Sequence, residues 1–327
     1  MKFHQKSEDQ IKRKRLWTPS RREVLMFFLF ISPGLIGFCL FSIYPIFRSF
    51  ILSFTNRSLL GFDDTSFVGF KNYIRAFSDP YVIEGLKTSL IYMLLTTVIV
   101  NVVGLGAALL MHSIKSKKTS AGFRTAFYVP SILPAVSLVI MFSWIFNPAS
   151  GIINSILSMM GVDTSGLLWF LGTDSALWTL ILTSFWAFGG KMVIYLSARQ
   201  GISKDFYEAA EMDGVSKWKQ FLKITLPLLS PVIFYNVLMS IIGGLQVFTE
   251  AYVLSGTGAG APIRFFVLNL YSVAFGNTYQ LGYASAQAWI LFFITLGFSI
   301  LYFVVAKKIL NLEEDKKVKA KHERKHI

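Results

Sequence analysis

The sequence predicts an all-α protein that crosses a lipid bilayer several times. Of its 327 residues, 54% are hydrophobic and only 15% are charged, and the mean hydropathy is +0.54. Soluble domains carry about 25% charged residues, and a water-soluble fold of this length has too little interior to hide so much apolar surface. Long uncharged runs, and basic residues gathered near both ends of the chain, support the same prediction. We therefore expect lipid to cover much of the molecule.

Six windows of at least 18 residues are apolar and almost free of charged side chains. About 20 helical residues cross a bilayer core about 30 Å thick, and the backbone must pair its own polar groups there, so each window is expected to be a helix. Lys191 is the only charged residue among the predicted spans, which are residues 24–47, 88–111, 127–147, 175–198, 228–249 and 283–306. Kinks are expected at the prolines within them, which are Pro33, Pro45, Pro130, Pro134 and Pro231.

The distribution of Lys and Arg predicts how these spans are oriented. Basic residues are enriched on the cytoplasmic side of a membrane. With both tails cytoplasmic, loops 112–126 and 199–227 lie on the same side, and these four segments hold 25 of the 32 Lys and Arg residues. We expect residues 48–87, 148–174 and 250–282 to face outward.

The chain is accordingly expected to consist of three parts. A cytoplasmic basic tail (1–23) precedes the six-span membrane domain (24–306), and a second cytoplasmic basic tail (307–327) follows it. Two more uncharged stretches, 148–162 and 265–280, each contain only about a dozen consecutive apolar residues, which is too few to cross a bilayer. We expect them to form interfacial or re-entrant helices.

Several classes of function are not supported by the sequence. The positive charge is not interleaved with stacking aromatic residues, which argues against nucleic-acid binding. Cys39 is the only cysteine, so a disulfide or a Cys-x-x-Cys site is not expected. The nucleotide-binding motif G-x-x-x-x-G-K-S/T is absent, since the only Gly-Lys pair, Gly190-Lys191, precedes Met192. Neither a catalytic residue, nor a metal ligand set, nor a bound cofactor is expected in this chain.

Loop 199–227 differs from an ordinary connector because its charges nearly cancel and its residues favour helix. Lys204 to Met212 are mostly good helix formers, with Asp205 well placed near the positive helix end. Asp213-Gly214 can end this helix, and a second short helix is expected from about Ser216 to Leu222. The loop is therefore predicted to be a helical hairpin on the cytoplasmic surface.

The same loop carries residues at fixed spacing that resemble a known family signature. Glu-Ala-Ala, then Gly after three residues, Ile after nine more, and Leu-Pro after one more is similar to the signature loop of the membrane subunits of binding-protein-dependent ABC importers. The matching or adjacent residues that we expect to couple to an ATPase are Glu208, Ala209, Ala210, Asp213, Gly214, Ile224 and Pro227.

The resemblance covers nearly the whole chain and is strongest to the permeases of sugar importers, including the maltose-type larger subunits and the multiple-sugar group. It is carried by Ser32-Pro33, Tyr44-Pro45, Ser53-Phe54, FVGFKNYIRAFSDP (67–80), WAFGGKMVIYLSARQGI (186–202) and GYASAQAWILFF (282–293). Compared with the maltose-type larger subunit, the chain lacks the additional N-terminal spans and the large outer domain. The fold that the resemblance implies is the six-span, type I (MetI-like) permease fold with a cytoplasmic coupling helix.

The resemblance also implies the partners and the location of the protein. A second, homologous permease would complete the pathway. Two cytoplasmic ATP-binding subunits, or a homodimer of one, would bind ATP and Mg²⁺, and an extracellular or periplasmic solute-binding protein would deliver a carbohydrate. The membrane would be that of a bacterial or archaeal cell, with both termini cytoplasmic.

Three residues of spans four and five, and one just outside span five, are candidates for contact with substrate, because sugars are recognised by polar groups and aromatic faces. They are Trp186, Lys191, Gln246 and Glu250. Trp186 could equally pack against lipid or a neighbouring helix. An intramembrane Lys usually faces a cavity, but Lys191 could also extend its side chain towards the cytoplasmic surface. Gln246 and Glu250 are spaced one helical turn apart, and Gly243-Gly244 would allow a close helix contact beside them.

Three alternative functions remain at this stage. The positive charge of Lys191 would also suit a permease for glycerol phosphate or an acidic glycan. An ion-coupled secondary transporter would normally place carboxylates or His in mid-span, and none occurs in the six windows. A membrane-embedded enzyme would need clustered acidic or His residues at a membrane face, and the acidic cluster of loop 199–227 belongs to the signature loop.

Overall fold

The computed structural model describes residues 21–61, 65–256, 263–276 and 278–323, with the backbone alone for residues 21 and 309–323. Within these ranges the secondary structure is helical apart from one isolated antiparallel bridge between Thr55 and Phe67. The chain divides after Leu52 into two units. The prediction of an all-α protein is confirmed.

The described part of the first unit is one long apolar helical run. Helix α1 (Arg21–Phe38) continues through a π-helical turn (Cys39–Ile43) into α2 (Tyr44–Ser53). Pro45 lacks the N–H that would bond to the carbonyl four residues earlier, and a wider turn directly before it accommodates that loss. The side chains of this run are almost all exposed, including Phe30 and Phe41. Such a surface is suited to lipid.

The second unit contains the remaining helices, several of which form longer runs. They are α3 (Lys71–Ser78), α4 (Pro80–Ser113), α5 (Lys117–Ile132), α6 (Ala135–Ile145), α7 (Ile152–Met159), α8 (Ala176–Ser184), α9 (Phe188–Gln200), α10 (Asp205–Met212), α11 (Lys217–Gln220), α12 (Leu226–Leu245), α13 (Thr249–Gly256), α14 (Phe266–Tyr271) and α15 (Leu281–Glu323). Short 3₁₀ turns lie at Trp169–Leu171 and Phe185–Ala187, and π-helical turns at Phe221–Thr225 and Ser272–Gly276.

Five of these helical runs are long and apolar enough to cross a membrane: Arg22–Ser53, Pro80–Ser113, Ala176–Gln200, Lys217–Gly256 and Leu281–Lys308. A sixth span results if α5 and α6 are counted together. The prediction of six spans therefore holds with one strongly bent member. The stretches expected to be interfacial or re-entrant contain the short helices α7 and α14.

The third span is not the single straight helix expected for residues 127–147. Helix α5 begins already at Lys117, inside the predicted loop, and α6 leaves it at an angle of 99°. Leu133 between them is extended, with ψ of 140°. A residue that precedes proline is driven out of helical conformation by the proline ring, so Pro134 turns the expected kink into a break.

Spans two, four and five pack closely because glycines face their neighbours. A Cβ at Gly104 of α4 would lie 2.9 Å from Cβ of Lys191 on α9. A Cβ at Gly244 of α12 would lie 2.8 Å from Cα of Met93 on α4. Small residues allow helix backbones to approach in this way inside membranes. Of the predicted Gly243-Gly244 pair, Gly244 makes the close contact, whereas Gly243 has no neighbour within 4 Å of a Cβ position.

Candidate functional site

The loop with the family signature is built around the end of helix α10. The N–H of Val215 donates to the carbonyl of Ala210 (2.9 Å), and the N–H of Gly214 donates to Glu211 (3.0 Å). These two bonds form a Schellman cap, whose C′ residue adopts left-handed conformation. Gly214 has φ of +70°, and a Cβ there would meet no atom within 4 Å. The backbone conformation, and not lack of space, therefore favours glycine.

The second arm of the loop is continuous with span five, which corrects the predicted hairpin. The second helix was expected to end near Leu222, before Pro227 opens the span. Instead α11, the π-helical turn and α12 follow without interruption. Since proline disturbs the helical turn before it, the helix widens ahead of Pro227 and does not end. The loop is thus joined to span five by an uninterrupted helical segment.

Side-chain contacts fasten α10 to the helices on either side. The hydroxyls of Tyr207 and Thr225 lie 2.9 Å apart. The guanidinium of Arg199, at the end of α9, lies 4.2 Å from the ring centroid of Tyr207. Lys217 and Glu211 form an exposed ion pair, and the Gln220 amide donates to the Val215 carbonyl. The loop is therefore attached to spans four and five by side-chain contacts.

The predicted coupling residues fall into two groups by exposure. Those available to a partner are Glu208, Ala209, Asp213 and Gly214, which are exposed. Those that pack within the molecule are Ala210, which is buried, and Ile224 and Pro227, which are half-buried. Ala210, whose carbonyl closes the cap, is the buried alanine. Ala209 is the exposed one.

Sequence reasoning missed three apolar side chains on this surface. Phe206, Met212 and Trp218 are 55%, 89% and 67% exposed, respectively. Large exposed apolar side chains are typical of protein interaction sites, and Trp is enriched among the residues that dominate binding energy. They could have been noticed as apolar residues in a charged loop. Met212 follows Glu208 by four residues, so these two side chains share one face of α10.

Lys191 participates in a polar network that connects spans two, four and five. Its Nζ donates to the backbone carbonyl of Asn236 (3.2 Å), which also accepts from the Ser240 hydroxyl (2.8 Å). Asn101 donates to Ser240 Oγ (3.0 Å) and accepts from the Tyr195 hydroxyl (2.7 Å). Asn101, through its side chain, and Asn236, through its backbone carbonyl, thus make polar contacts between helices. The ammonium group of Lys191 is directed across to span five, with no carboxylate in ion-pair distance among the described residues.

Trp186 lies in the 3₁₀ turn that interrupts span four, next to the broken third span. Its ring is 48% exposed and contacts Phe142 of α6 edge to face, with centroids 6.3 Å apart. Gly190 lies near Ser131 of α5. Trp186 is therefore partly packed and partly available to a ligand or lipid.

Gln246 and Glu250 do not share one continuous helix, contrary to the expectation from their spacing. Helix α12 ends at Leu245, residues 246–248 are not helical, and α13 begins at Thr249. Gln246 lines a cavity of about 580 Å³ that also contains Thr295 and Ser299 of α15. Glu250 is half-buried and is absent from that lining. The break after α12 separates the two side chains.

An aromatic cluster that the sequence did not reveal lies beside Glu250. Phe248, Tyr252, Tyr271 and Phe275 form a chain of rings with centroids 5.0 to 5.4 Å apart. Tyr252 and Phe275 are 45% and 50% exposed. A hydrogen bond with Tyr252 raises the pKa of the Tyr271 phenol, which therefore stays neutral. Exposed rings with neutral hydroxyls are suited to contact with a polar, uncharged ligand.

Comparison with known proteins places these features in context. Residues 101–310 match the family model described as "binding-protein-dependent transport system inner membrane component". The chain is 38% identical over 279 residues to the probable ABC transporter permease protein YesP of Bacillus subtilis, covering 84% of this chain and 88% of the relative. It is 30% identical to the lactose transport system permease protein LacF of Rhizobium radiobacter, covering 86% and 93%, respectively.

The fold is also found in a solved structure. A chain of a bacterial ABC transporter involved in the import of the acidic polysaccharide alginate superimposes with a TM-score of 0.77 at 21% identity. The match covers 90% of this chain and 99% of that chain. The likeness confirms the predicted permease fold.

Proposed function

Because this chain belongs to the family of binding-protein-dependent transport system inner membrane components, we propose that it is the permease subunit of an ATP-driven importer for an oligosaccharide or another carbohydrate. The observation that carries the proposal is the loop around Glu208, which is exposed, in contact with span four and continuous with span five. A loop with these properties can transmit movement from a cytoplasmic motor into the membrane.

The exposed residues of the loop around α10 determine which chemical groups the ATP-binding subunit must present to them. Glu208 can accept charge-assisted hydrogen bonds from Arg or Lys, Ala209 leaves room for close approach, and Phe206 and Met212 supply apolar contact. An ATP-binding subunit with a groove of this chemistry would hold α10. Binding of ATP and Mg²⁺ by two such subunits would move α10, and through α11 and α12 the outer half of span five. Hydrolysis of the ATP would return α10 and span five to their starting positions.

The remaining partners follow from the same proposal. A second, homologous permease would complete a pathway of which this chain forms half, and a solute-binding protein would dock on the outer loops. The two packings of the permease pair would be the alternating states, biased by ATP on one side and by the loaded binding protein on the other. Both tails would be cytoplasmic, although residues 1–20 and 324–327 lie outside the described residues.

A carbohydrate substrate is supported by the chemistry of the candidate path. The exposed rings of Tyr252 and Phe275 offer stacking faces, and Gln246 and the hydroxyls of α15 offer neutral hydrogen-bonding groups. The relative LacF is named for lactose transport. A neutral, hydroxyl-rich solute suits this combination of groups.

Uptake into proteoliposomes tests the proposed function. The vesicles would contain this chain, its partner permease and the ATPase, with the binding protein and a radiolabelled oligosaccharide outside. We expect uptake that requires ATP inside and is abolished when the ATPase carries Ala in place of its Walker lysine. Uptake that persists with the variant ATPase would refute ATP coupling, and uptake driven by an ion gradient alone would favour a secondary transporter.

A permease for an acidic glycan or glycerol phosphate is the second candidate, and Lys191 is the observation that favours it. A half-buried cation inside a span, with its ammonium group on a backbone carbonyl and no carboxylate in ion-pair distance among the described residues, leaves net positive charge along the pathway. Such a charge would stabilise an anionic solute during passage.

Lys191→Met separates the two candidates. With an acidic oligosaccharide, loss of the charge should lower uptake about tenfold or more, since an ion contact is worth about 1.5–3 kcal/mol. With a neutral oligosaccharide, uptake should change little. Lys191→Arg is the matched control, because it keeps the charge. Equal uptake of the acidic solute by the wild type and the Met variant would refute the hypothesis that the substrate is an acidic glycan.

A further inference from the structure

A second site lies between the loop around α10 and the ends of spans two and four. It is a cavity of about 680 Å³ whose walls come from the last turn of α4, the end of α9, the start of α10, and α11 with the π-helical turn. It is separate from the exposed face that carries Glu208, because neither Glu208 nor Ala209 lines it. The proposed coupling does not use it.

Basic side chains surround this cavity. His112, Arg199, Lys204 and Lys217 line it, and its lining contains no carboxylate. Arg199, Arg124 and Lys204 all act electrostatically on the His112 imidazole. The Nε of Arg124 is buried and has no hydrogen-bond partner among the described residues. Only Lys217 has an ion-pair partner there, Glu211. Arg199 and Lys204 therefore give the cavity positive charge that no carboxylate among the described residues offsets at ion-pair distance.

Contacts within the protein hold the cationic wall in place. The Arg199 guanidinium stacks on the Tyr207 ring, whose hydroxyl in turn bonds to Thr225. A guanidinium held on an aromatic face can still direct N–H groups towards an anion. Arg199 thus loses little conformational freedom when it binds a ligand.

The rest of the wall is apolar. Leu109, Ile202 and Phe221 line the cavity together with the basic residues. Leu109 lies near the end of the predicted span 88–111, which contains no charged residue, and the next residue, Leu110, is 66% exposed. The cavity thus combines basic side chains with apolar side chains at the end of a predicted span. A free phosphate ion would need only the first of these two surfaces.

We propose that this cavity binds the phosphodiester headgroup of an anionic phospholipid from the cytoplasmic leaflet, with acyl-chain carbons along Leu109, Ile202 and Phe221. Basic pockets beside cytoplasmic helix ends are typical sites for such lipids. The lipid would contact both the loop around α10 and the ends of spans two and four, and would so stabilise the position of the loop against these spans. The inference rests on the proposed orientation, in which this end of the spans is cytoplasmic.

Lipid binding to the purified full-length chain tests this site without any measurement of uptake. Native mass spectrometry would give the affinity for phosphatidylglycerol, with phosphatidylcholine as the neutral comparison. The affinity of the variant Arg199→Gln/Lys204→Gln for phosphatidylglycerol should be at least about tenfold lower than that of wild type, because each basic residue near the headgroup contributes to the attraction. Lys219→Gln/Lys223→Gln is the matched control. It removes two exposed charges from the same loop but none from the cavity, and it should bind within about twofold of wild type.

Each other outcome contradicts the proposal. Equal weakening in both double variants would mean that the lipid responds only to overall charge. Thermal stabilisation by inorganic phosphate as large as that by phosphatidylglycerol would identify a free anion as the ligand. Loss of the bound lipid on assembly with the ATPase would identify the cavity as part of the motor interface.

If the double variant does not fold, Lys204→Gln alone keeps the Arg199–Tyr207 contact and should weaken binding about threefold or more. Unchanged binding would then contradict the proposal.

Discussion

At the scale of single residues, Gly214 determines the geometry of the coupling loop. Its left-handed backbone closes the cap on α10 and leads the chain towards α11. The sequence predicted this turn, because Asp-Gly after a helical segment is a strong stop signal. The sequence did not distinguish Ala209 from Ala210, since which alanine is buried depends on how α10 packs against the rest of the molecule.

Gly214→Val should disrupt the loop, whereas Gly214→Asn should preserve it. A left-handed backbone costs a residue with a Cβ about 1–2 kcal/mol, but Asn adopts it more readily than other residues. Because space around Gly214 is open, the difference between the two variants reports backbone conformation and not a clash. We expect ATP-driven uptake to fall about tenfold for Val and less than threefold for Asn, from that difference in energy. Equal uptake by the two variants would show that the cap is not needed for coupling.

At the scale of elements, span five connects the loop around α10 with spans two and four. It begins in the loop as α11, contacts α4 at Gly244, and receives the hydrogen bond from Lys191 of α9. The hydropathy pattern predicted the apolar window 228–249 but not its helical extension back to Lys217. Helix continuity depends on how the turn before Pro227 widens, and hydropathy contains no information about that turn.

Gly244→Ala should destabilise the fold, and Gly243→Ala should not. The added Cβ at position 244 would lie 2.8 Å from Cα of Met93, a backbone atom that cannot move alone. Overpacking of this kind costs about 1–3 kcal/mol. At position 243 the Cβ has open space. Thermal unfolding of the purified complex should show a lower midpoint only for the first variant. Identical midpoints would mean that α4 and α12 are not in close contact.

The third span shows that a hydropathy window can predict an apolar segment without predicting where its helices begin or bend. Residues 127–147 form a good apolar window, and Pro134 was expected to kink it. The structure breaks the chain there by 99° and extends α5 back to Lys117. The size of a proline bend depends on the helices that pack on both sides, such as α9 through Gly189 against Phe127. That information is tertiary.

At the scale of the whole molecule, the positive charge is explained by orientation. The proposed topology assigns 25 of 32 basic residues to the cytoplasmic side, and no nucleic-acid partner is needed to account for a net charge of +14. The same topology places α10 and the basic cavity on one side of the bilayer, and α7 with residues 160–174 on the other.

Cysteine labelling of intact cells tests this topology. In a background with Cys39→Ala, Ser165→Cys in the loop after α7 should react with a membrane-impermeant maleimide. Ser203→Cys in the loop before α10 should react only after permeabilisation. Both serines are exposed, so access to the reagent depends on the side of the membrane. Labelling of Ser203→Cys in intact cells would reverse the proposed orientation.

The sequence by itself determined the fold class, the approximate spans and the family. Hydropathy, charge bias and the spacing of the signature loop are properties of residues close to one another along the chain. Only the tertiary structure decided which polar groups meet inside the membrane. Asn101 bonds to Ser240 across 139 positions, and Lys191 bonds to Asn236 across 45. Such contacts depend on helix packing at glycines and on breaks at prolines, and no local pattern specifies both partners at once.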